Sequence, residues 1–235
     1  MLFGSKRKFH VRTGRMEKNR TAAFFDIDGT IVSCMTQGVF ISLLRERKMV
    51  KTRQLVFAGI WYYLYNRGMV ENSAPVRRSL YSLLKPHPKA AIDRLLEEAA
   101  GLIREKVRHE LRLAVDEHKR RGDLLFAITG SIRELCVPLC ADLGIEHLYA
   151  MRLHAENDKY TAGWEGTLYE GKYKSWLMDE LAREHGIDLS RSAAYADSFA
   201  DVPMLEAVGT AAVVYPDPRL LKHAVKRGWR VIGAR

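Results

Sequence analysis

The chain has 235 residues, of which 47% are hydrophobic and 28% are charged, and its formal net charge is +10. This length predicts one domain with a sizeable insertion, or two small domains, and the composition is that of a globular protein rather than a disordered or fibrous one. Three cysteines indicate a reducing compartment rather than a disulfide scaffold.

The first twenty residues are strongly basic. They carry seven Lys or Arg and a single acid, Glu17, and so account for most of the excess positive charge. We interpret residues 1–20 as a basic, disordered arm, because a segment of high net charge with few apolar side chains does not bury a core. Contact with an anionic membrane surface is the alternative, and nucleic acid is the less favoured partner. No apolar stretch follows the basic start, so we do not expect a secretory signal.

A buried strand is predicted directly after this arm, and a block of helices follows it. The run "AAFFDID" is short, apolar and aromatic, as strands buried on both faces are. Apolar residues then recur at helical spacing from residue 38 to residue 121, with proline-bearing turns at residues 73–75 and 85–88. We therefore predict an all-helical cap, residues 38–121, inserted after the first strand.

The longest apolar run of the sequence lies within this cap, at residues 55–65. It reads "LVFAGIWYYLY", and at about 1.5 Å per residue a helix of this length is too short for the roughly 30 Å of a bilayer's hydrocarbon core. A buried helix is one interpretation. An interfacial helix is the other, because Trp61, Tyr62 and Tyr63 favour membrane interfaces and basic residues flank the run.

Strand signals return after the cap and alternate with helical ones. In chain order we predict a strand at 123–129, a helix at 132–143, a strand and hairpin within 146–171, a helix at 173–186, and strands at 192–197, 211–215 and 229–233. Such alternation indicates a parallel sheet covered by helices on both faces. The predicted fold class is therefore α/β, with a core formed by residues 21–37 and 122–235.

Polar side chains follow three of the predicted strands at the point where each strand ends. These residues are Asp26 and Asp28, then Thr129, then Asp197 with Asp201 close behind. Each of them alone is explained by turn or helix-cap chemistry. Together, however, the acids fall at the same edge of one sheet, where like charges repel unless a cation or a phosphate group is bound there.

Four short motifs resemble those of the haloacid dehalogenase-like superfamily. They are "DIDGT" at residues 26–30, "ITGS" at 128–131, a lysine further on, and "ADSFADVPML" at 196–205. The phrases "VVYPDPRL" and "RGW" place the resemblance closest to the phosphoserine-phosphatase-like branch, subfamily IB. The resemblance extends over about residues 22–234 and implies a Rossmann-like core with a helical cap inserted between the first and second motifs.

The resemblance also implies roles for the acids. Asp26 would be the nucleophile that forms an aspartyl-phosphate. Asp28, which points the same way in an extended chain, would protonate the leaving alcohol and later deprotonate a water molecule. Mg²⁺ would be held by the Asp26 carboxylate, the Asp28 main-chain carbonyl and the Asp197 carboxylate. Asp201 would hold a metal-bound water or the active-site lysine.

The remaining motif residues would bind the phosphate group. The Thr129 hydroxyl and the Gly130 amide would donate hydrogen bonds to phosphate oxygens, and Gly29 would let the backbone approach closely. The lysine is Lys172 or Lys174, since both lie where the predicted helix opens. We favour Lys174, because the residues four, seven and eight positions after it are all apolar, whereas two of the three residues so placed after Lys172 are acidic.

The predicted function is that of a Mg²⁺-dependent phosphomonoesterase acting on a small phosphorylated metabolite of the phosphoserine type. One alternative is a lipid-phosphate phosphatase at a membrane surface, acting on phosphatidylglycerophosphate or lysophosphatidate, and another is a phosphotransferase. A non-catalytic binding protein is disfavoured, because no motif is eroded. We expect a cytoplasmic location, with a peripheral contact of residues 1–20 and 55–65 on the inner face of the membrane as the alternative.

Four arginines of the predicted cap are candidates for recognising an anionic substrate. They are Arg77, Arg78, Arg104 and Arg108. The sequence does not distinguish among them, and it leaves the substrate and the oligomeric state open.

Overall fold

The computed structural model describes residues 19–51, 55–56, 59–60 and 74–233. The elements bounded within these residues are, in chain order, β1 (Ala22–Phe25), α1 (Thr36–Glu46), α2 (Ala74–Ser82), α3 (Lys89–Arg104), α4 (His109–Arg121), β2 (Leu124–Ile132), α5 (Arg133–Leu143), β3 (His147–Glu156), β4 (Lys159–Glu165), α6 (Lys172–His185), β5 (Ala193–Ala196), α7 (Val202–Glu206), β6 (Thr210–Val214), α8 (Pro218–Arg227) and β7 (Arg230–Ile232). Residues 55–56 and 59–60 are also helical. Residues 1–18 of the predicted arm, and Trp61, Tyr62 and Tyr63, lie outside the described residues. No described helix is both long and apolar enough to cross a membrane.

The strands form one seven-stranded sheet in the order β4-β3-β2-β1-β5-β6-β7. Neighbouring strands are parallel except for the antiparallel pair of β3 and β4. This arrangement confirms the predicted α/β class and the predicted hairpin. It also places β1 between β2 and β5, so the carboxyl ends of these three strands lie together at one edge of the sheet. We call this edge the catalytic edge.

The central strand β1 is buried on both faces, as its continuous apolar sequence predicts. On one face the ring of Phe24 stacks on Phe126, with ring centroids 5.1 Å apart. On the other face Phe25 stacks on Tyr195, with centroids 4.8 Å apart. The two aromatic pairs belong to separate apolar clusters on either side of the sheet, so β1 is held from both sides and its end is fixed in space.

The helices described between β1 and β2, among them α1 to α4, do not all pack alike. Helix α3 contacts α1 and α5, whereas α4 contacts β1 and β2 directly. Leu111 and Val115 of α4 are fully buried in this interface. Because α4 covers the sheet as a core helix does, we propose that the cap ends near residue 108 rather than at residue 121.

Two segments join the core to the cap, and they run side by side. The first linker, residues 31–33, and the second linker, residues 106–108, form an antiparallel bridge between Val32 and Val107. The main-chain N–H of Arg108 donates to the Ile31 carbonyl at 2.9 Å, and that of Ser33 donates to the Lys106 carbonyl at 2.9 Å. Any movement of the cap on the core therefore acts on both linkers together.

Strand β2 extends three residues beyond its predicted end. Its pairing with β3 shifts register between Ile128 and Ile132, so Thr129, Gly130 and Ser131 lie in an irregular stretch of the strand. Such bulges re-aim side chains and are common beside active sites. The helix that follows accordingly begins at Arg133 rather than at Ile132.

Candidate active site

The structure gathers the predicted site residues at the catalytic edge. Asp26 directly follows β1, and Asp197 directly follows β5. Thr129 lies in the irregular stretch of β2, next to β1 in the sheet. These three residues, together with Asp201, are buried, and none of them is more than 8% exposed. Their burial brings several ionisable groups into one small region, where each strongly influences the others.

Lys174 pairs with two of the buried acids. Its Nζ is 2.6 Å from Asp26 Oδ1 and 2.8 Å from Asp201 Oδ2, and the residue is only 4% exposed. Burial lowers the pKa of this ammonium group, but the carboxylates of Asp201 and Asp26 raise it more, so its pKa lies above the ordinary value. Lys172, by contrast, is exposed, with its Nζ 5.1 Å from the ring centroid of Trp176. The structure thus brings Lys174, and not Lys172, to Asp26.

The carboxylate of Asp28 lies at the junction of core and cap. Its Oδ1 accepts a hydrogen bond at 2.5 Å from the main-chain N–H of Thr36, the first residue of α1. The buried Thr36 hydroxyl in turn contacts the hydroxyl of Ser131. Removal from water, and then the neighbouring Asp26 carboxylate, raise the pKa of Asp28 to about 6, although the Thr36 amide opposes this shift. Asp28 therefore holds a proton far more readily than an ordinary carboxyl group.

Gly29 and Thr30 bring the two strand-end acids into contact with one loop. The Thr30 hydroxyl lies 3.3 Å from Asp26 Oδ2 and 3.4 Å from Asp197 Oδ1. Gly29 has φ +76°, and a Cβ there would lie 2.3 Å from Asp197 Oδ2. Only glycine fits this position without moving the Asp197 carboxylate. The role of Thr30 as a bridge was not predicted, although it lies within the first motif.

The donor set at the catalytic edge fits Mg²⁺. The carboxyl groups of Asp26, Asp28, Asp197 and Asp201 lie at this edge, and the Lys174 ammonium group pairs with those of Asp26 and Asp201. A divalent cation would offset the negative charge gathered there. Within the described ranges, no three His, Cys, Asp or Glu side chains are grouped as a metal site. Mg²⁺ needs only one or two carboxylates beside main-chain oxygens and water, whereas zinc takes four protein ligands in structural sites.

A polar wall with side chains from both cap and core covers the irregular stretch of β2. The Arg77 guanidinium forms an ion pair with Glu170, and its Nη1 lies 3.3 Å from Gln37 Oε1. The Tyr81 hydroxyl donates to Gln37 Oε1 at 2.8 Å, and Gln37 Nε2 lies 3.5 Å from the Gly130 carbonyl. A Cβ at Gly130 would lie 2.9 Å from Glu170 Cγ. This polar wall, Gln37, Arg77, Tyr81 and Glu170, therefore sits directly on the loop predicted to bind phosphate.

Two of the four candidate arginines of the cap lie near the predicted site residues, and the other two make contacts elsewhere. Arg77 lies in the polar wall, and Arg108 places its Nε 3.3 Å from the Gly29 carbonyl. Arg104 pairs with Asp142 on the surface, and Arg78 lies over the ring of Trp164.

Glu170 and Thr36 were not predicted as site residues, because nothing in the sequence distinguishes them from other polar residues.

Comparison with known proteins gives the same family for this chain. The family model for haloacid dehalogenase-like hydrolases matches residues 23–206. A Mycobacterium tuberculosis protein named "Probable phosphatase Rv3661" is 31% identical over 226 residues, which cover 93% of this chain and 77% of that protein. Phosphoserine phosphatase SerB1 of the same species is 29% identical over 214 residues, covering 89% of this chain and 70% of that protein.

A solved structure of similar shape supports the architecture. A substrate-bound phosphoserine phosphatase complex superposes with a TM-score of 0.70, covering 92% of this chain and 94% of that one. The two sequences are 22% identical, so the similarity concerns the fold.

Proposed function

The chain belongs to the haloacid dehalogenase-like hydrolases and is a phosphatase of that family, and from this premise we propose that it hydrolyses phosphate monoesters with Mg²⁺ through an aspartyl-phosphate on Asp26. One observation carries the proposal: Lys174 joins Asp26 to Asp201 at the buried catalytic edge, where Asp197 is also buried and the Asp28 carboxyl group feels the charge of Asp26. A lysine at this position stabilises both the attacking carboxylate and the negative charge of the phosphoryl group.

Asp26 is the proposed nucleophile. Its two oxygens are oriented by Lys174 and by the Thr30 hydroxyl. A carboxylate oxygen attacks phosphorus, the phosphorus–oxygen bond to the substrate alcohol breaks, and the phosphoryl group becomes bonded to Asp26. Because both oxygens are held, the carboxylate is presented in one orientation and little rotational freedom is lost during attack.

Asp28 is the proposed acid and base. It donates its proton to the departing alcohol oxygen, and the resulting carboxylate then takes a proton from the water that attacks the aspartyl-phosphate. This second step returns Asp26 to a carboxylate and releases inorganic phosphate. The hydrogen bond from the Thr36 amide fixes the direction of the Asp28 carboxyl group during both proton transfers.

The Asp26 and Asp197 carboxylates and the Asp28 main-chain carbonyl would hold Mg²⁺, which supplies positive charge opposite the phosphate dianion. Thr129 and Gly130 would hold the phosphate oxygens. The Thr129 oxygen already accepts a hydrogen bond from the Ser131 amide at 3.1 Å, so its own hydrogen is directed elsewhere and is suited to a phosphate oxygen.

The polar wall favours a small polar alcohol as the leaving group. Arg77 and Glu170 have side chains only 13% and 21% exposed, so a substrate near Gly130 meets charged and hydrogen-bonding groups rather than apolar ones. A phosphoserine-like metabolite fits such a wall better than a long acyl chain does, and the relationship to phosphoserine phosphatase SerB1 supports this choice.

The test is phosphate release from a substrate panel with Mg²⁺. The panel contains phosphoserine, other small phosphorylated metabolites, p-nitrophenyl phosphate and lysophosphatidate, and each is assayed with wild type and with Asp26→Asn. We expect hydrolysis by wild type, and a loss of roughly a thousandfold or more in the variant, since removal of a nucleophile leaves only binding and electrostatic effects. Equal rates for the two proteins would refute the aspartyl-phosphate mechanism. Added acceptor alcohol in excess would reveal a phosphotransferase by its transfer product.

A lipid-phosphate phosphatase is the second candidate, favoured by one observation. Val56 and Ile60 are four positions apart, each in a helical part of the cap, and are 56% and 55% exposed, so both present apolar surface to solvent. We test it by co-sedimentation with phosphatidylglycerol vesicles, comparing wild type with a Val56→Ser/Ile60→Ser double variant. Absence of wild-type binding at low salt removes this candidate.

A cytoplasmic location is part of the main proposal, that of a phosphatase for small metabolites, and is supported by three free cysteines among the described residues.

A further inference from the structure

Arg108 lies where the second linker meets the catalytic edge, and it contacts residues on both sides of this junction. Its Nε lies 3.3 Å from the Gly29 carbonyl oxygen. Its Cζ lies 3.9 Å from the ring centroid of Tyr215, just beyond the end of β6. A planar guanidinium that stacks on a ring and donates in its own plane has a defined orientation.

The Tyr215 ring is a rigid support for this guanidinium. Its hydroxyl donates to Glu110 Oε1 at 3.1 Å, and its main-chain N–H donates to the Ile232 carbonyl at 2.8 Å. A Cβ at Gly233 would lie 2.3 Å from the Tyr215 Cζ, so the ring also packs directly on that backbone. Arg108 is therefore held by core elements although its main chain belongs to the linker.

The Gly29 carbonyl that Arg108 contacts belongs to the peptide leading into Thr30. Thr30 in turn contacts both Asp26 and Asp197. Two further hydrogen bonds are internal to this loop, since the Gly29 amide donates to the Cys34 carbonyl and the Thr30 amide donates to the Ile27 carbonyl, each at 3.2 Å. The main-chain pairing of the two linkers holds the residues that follow Thr30, but it does not contact the Gly29–Thr30 peptide. The side chain of Arg108 thus supports the loop from the second linker.

We infer that Arg108 is a positioning residue that ties the second linker of the cap to the loop carrying the catalytic carboxylates. It does so by holding the Gly29–Thr30 peptide in the orientation that lets Thr30 reach Asp26 and Asp197. The inference rests on the proposed function, since it assigns Arg108 a part in the same site. A positive charge alone does not serve this role, because the planar group must stack on Tyr215 and point at the Gly29 carbonyl together.

The experiment compares Arg108→Ala and Arg108→Lys with Arg112→Ala. Arg112 is an exposed arginine of α4, so its removal matches the loss of charge without touching the loop. Three quantities are measured on the full chain: kcat and KM for p-nitrophenyl phosphate, Mg²⁺ affinity by calorimetry without substrate, and hydrogen exchange of the peptide spanning residues 27–34. The last measurement requires neither turnover nor metal.

We expect Arg108→Ala to lower kcat and weaken Mg²⁺ binding by about tenfold each, as loss of a supporting contact behind metal ligands commonly does, and to speed amide exchange in residues 27–34. KM should change little, and Arg108→Lys should remain closer to Arg108→Ala than to wild type. Arg112→Ala should match wild type in all three measurements.

Two outcomes would overturn the inference. Unchanged exchange and unchanged Mg²⁺ affinity in Arg108→Ala would show that the loop does not depend on this contact. If Arg108→Ala altered KM alone and Arg108→Lys restored the wild-type KM, Arg108 would instead attract the substrate by its charge. If wild type neither hydrolyses phosphate esters nor binds Mg²⁺, the proposed function fails, and the exchange comparison still decides whether Arg108 holds the loop.

Discussion

The carboxylate of Asp28 accepts a hydrogen bond from the main-chain amide of Thr36 at 2.5 Å. Thr36 is the first residue of α1 and is completely buried, and its hydroxyl contacts that of Ser131 in the irregular stretch of β2. The proposed acid is therefore held by the first helix after the first linker, and this helix is attached to the predicted phosphate loop. Helix position and proton transfer are thereby linked through one residue.

Replacing Thr36 by valine should damage activity and stability together. Valine keeps the shape and the main-chain amide but leaves the buried Ser131 hydroxyl without this partner, which costs about 1–3 kcal/mol. We expect kcat to fall as α1 shifts against the phosphate loop, whereas Thr36→Ser, which keeps the hydroxyl, should retain most of the activity. Chemical denaturation and steady-state kinetics measure the two effects, and equal behaviour of the valine and serine variants would contradict this account.

The Asp28→Asn variant should accumulate the aspartyl-phosphate. Without a group that takes a proton from water, hydrolysis of the intermediate slows by about 10²–10⁴-fold, the usual contribution of a general acid or base. Formation of the intermediate should suffer less with p-nitrophenyl phosphate, whose leaving group needs little protonation. Acid quench followed by intact-mass measurement should show the phosphorylated chain, and the Asp26→Asn/Asp28→Asn double variant should not. Absence of the adduct in Asp28→Asn would exclude this role for Asp28.

Asp28 should also make the metal-free protein less stable as pH rises. Its pKa is raised from the ordinary 3.8 to about 6, so between these values the folded state binds more protons than the unfolded state and stability falls with increasing pH. The penalty is complete above pH 6 and absent below about pH 4. In EDTA, Asp28→Asn should therefore unfold at a higher temperature than wild type at pH 7.5, and the difference should shrink toward pH 4.5. A difference that grows on acidification would contradict the assigned direction.

The sheet was predictable because burial on both faces leaves a strong signal. The run that becomes β1 is apolar throughout, and the glycines that end α5 and α6, Gly144 and Gly186, adopt the left-handed conformation expected at helix ends. The irregular stretch at 129–131 was not predictable, since a bulge depends on how β2 pairs with β3 and not on its own sequence.

The contents of the polar wall could not be predicted for a similar reason. Arg77 and Arg78 are neighbours on α2, and successive residues of a helix point about 100° apart. Arg77 enters the polar wall because it pairs with Glu170, which is 93 positions away in the chain. Periodicity did favour Lys174 over Lys172, because it identifies the face of α6 that is buried.

Lys174→Met should impair both folding and catalysis. The methionine keeps the length of the side chain but leaves the Asp26 and Asp201 carboxylates without their buried cation, which costs about 3–5 kcal/mol. Loss of the ammonium group beside the phosphoryl position should lower kcat by about 10²-fold or more. Lys172→Met, in which an exposed lysine of the same helix is removed, is the matched control. A greater loss of kcat in Lys172→Met than in Lys174→Met would reverse our assignment of the active-site lysine.

Replacing His118 by alanine should affect the stability of the protein and not its activity. Its Nδ1 lies 2.7 Å from Asp123 Oδ2 and its Nε2 lies 2.9 Å from the Tyr195 hydroxyl, and the residue is buried. Asp123 directly precedes β2, at the edge of the sheet opposite to the catalytic edge. His118→Ala leaves a buried carboxylate and a hydroxyl without this partner, which should cost about 2–4 kcal/mol.

The lowered stability should appear in the melting temperature but not in the kinetics. A loss of about 3 kcal/mol corresponds to a drop of about 6–12 °C for a domain of this size, and kcat at 20 °C should remain that of wild type because no group at the catalytic edge changes. His109→Ala, an exposed histidine at the start of the same helix, should melt as wild type does. A loss of kcat in His118→Ala at a temperature where the variant is fully folded would show that this network reaches the active site through β5, since Tyr195 lies two residues before Asp197.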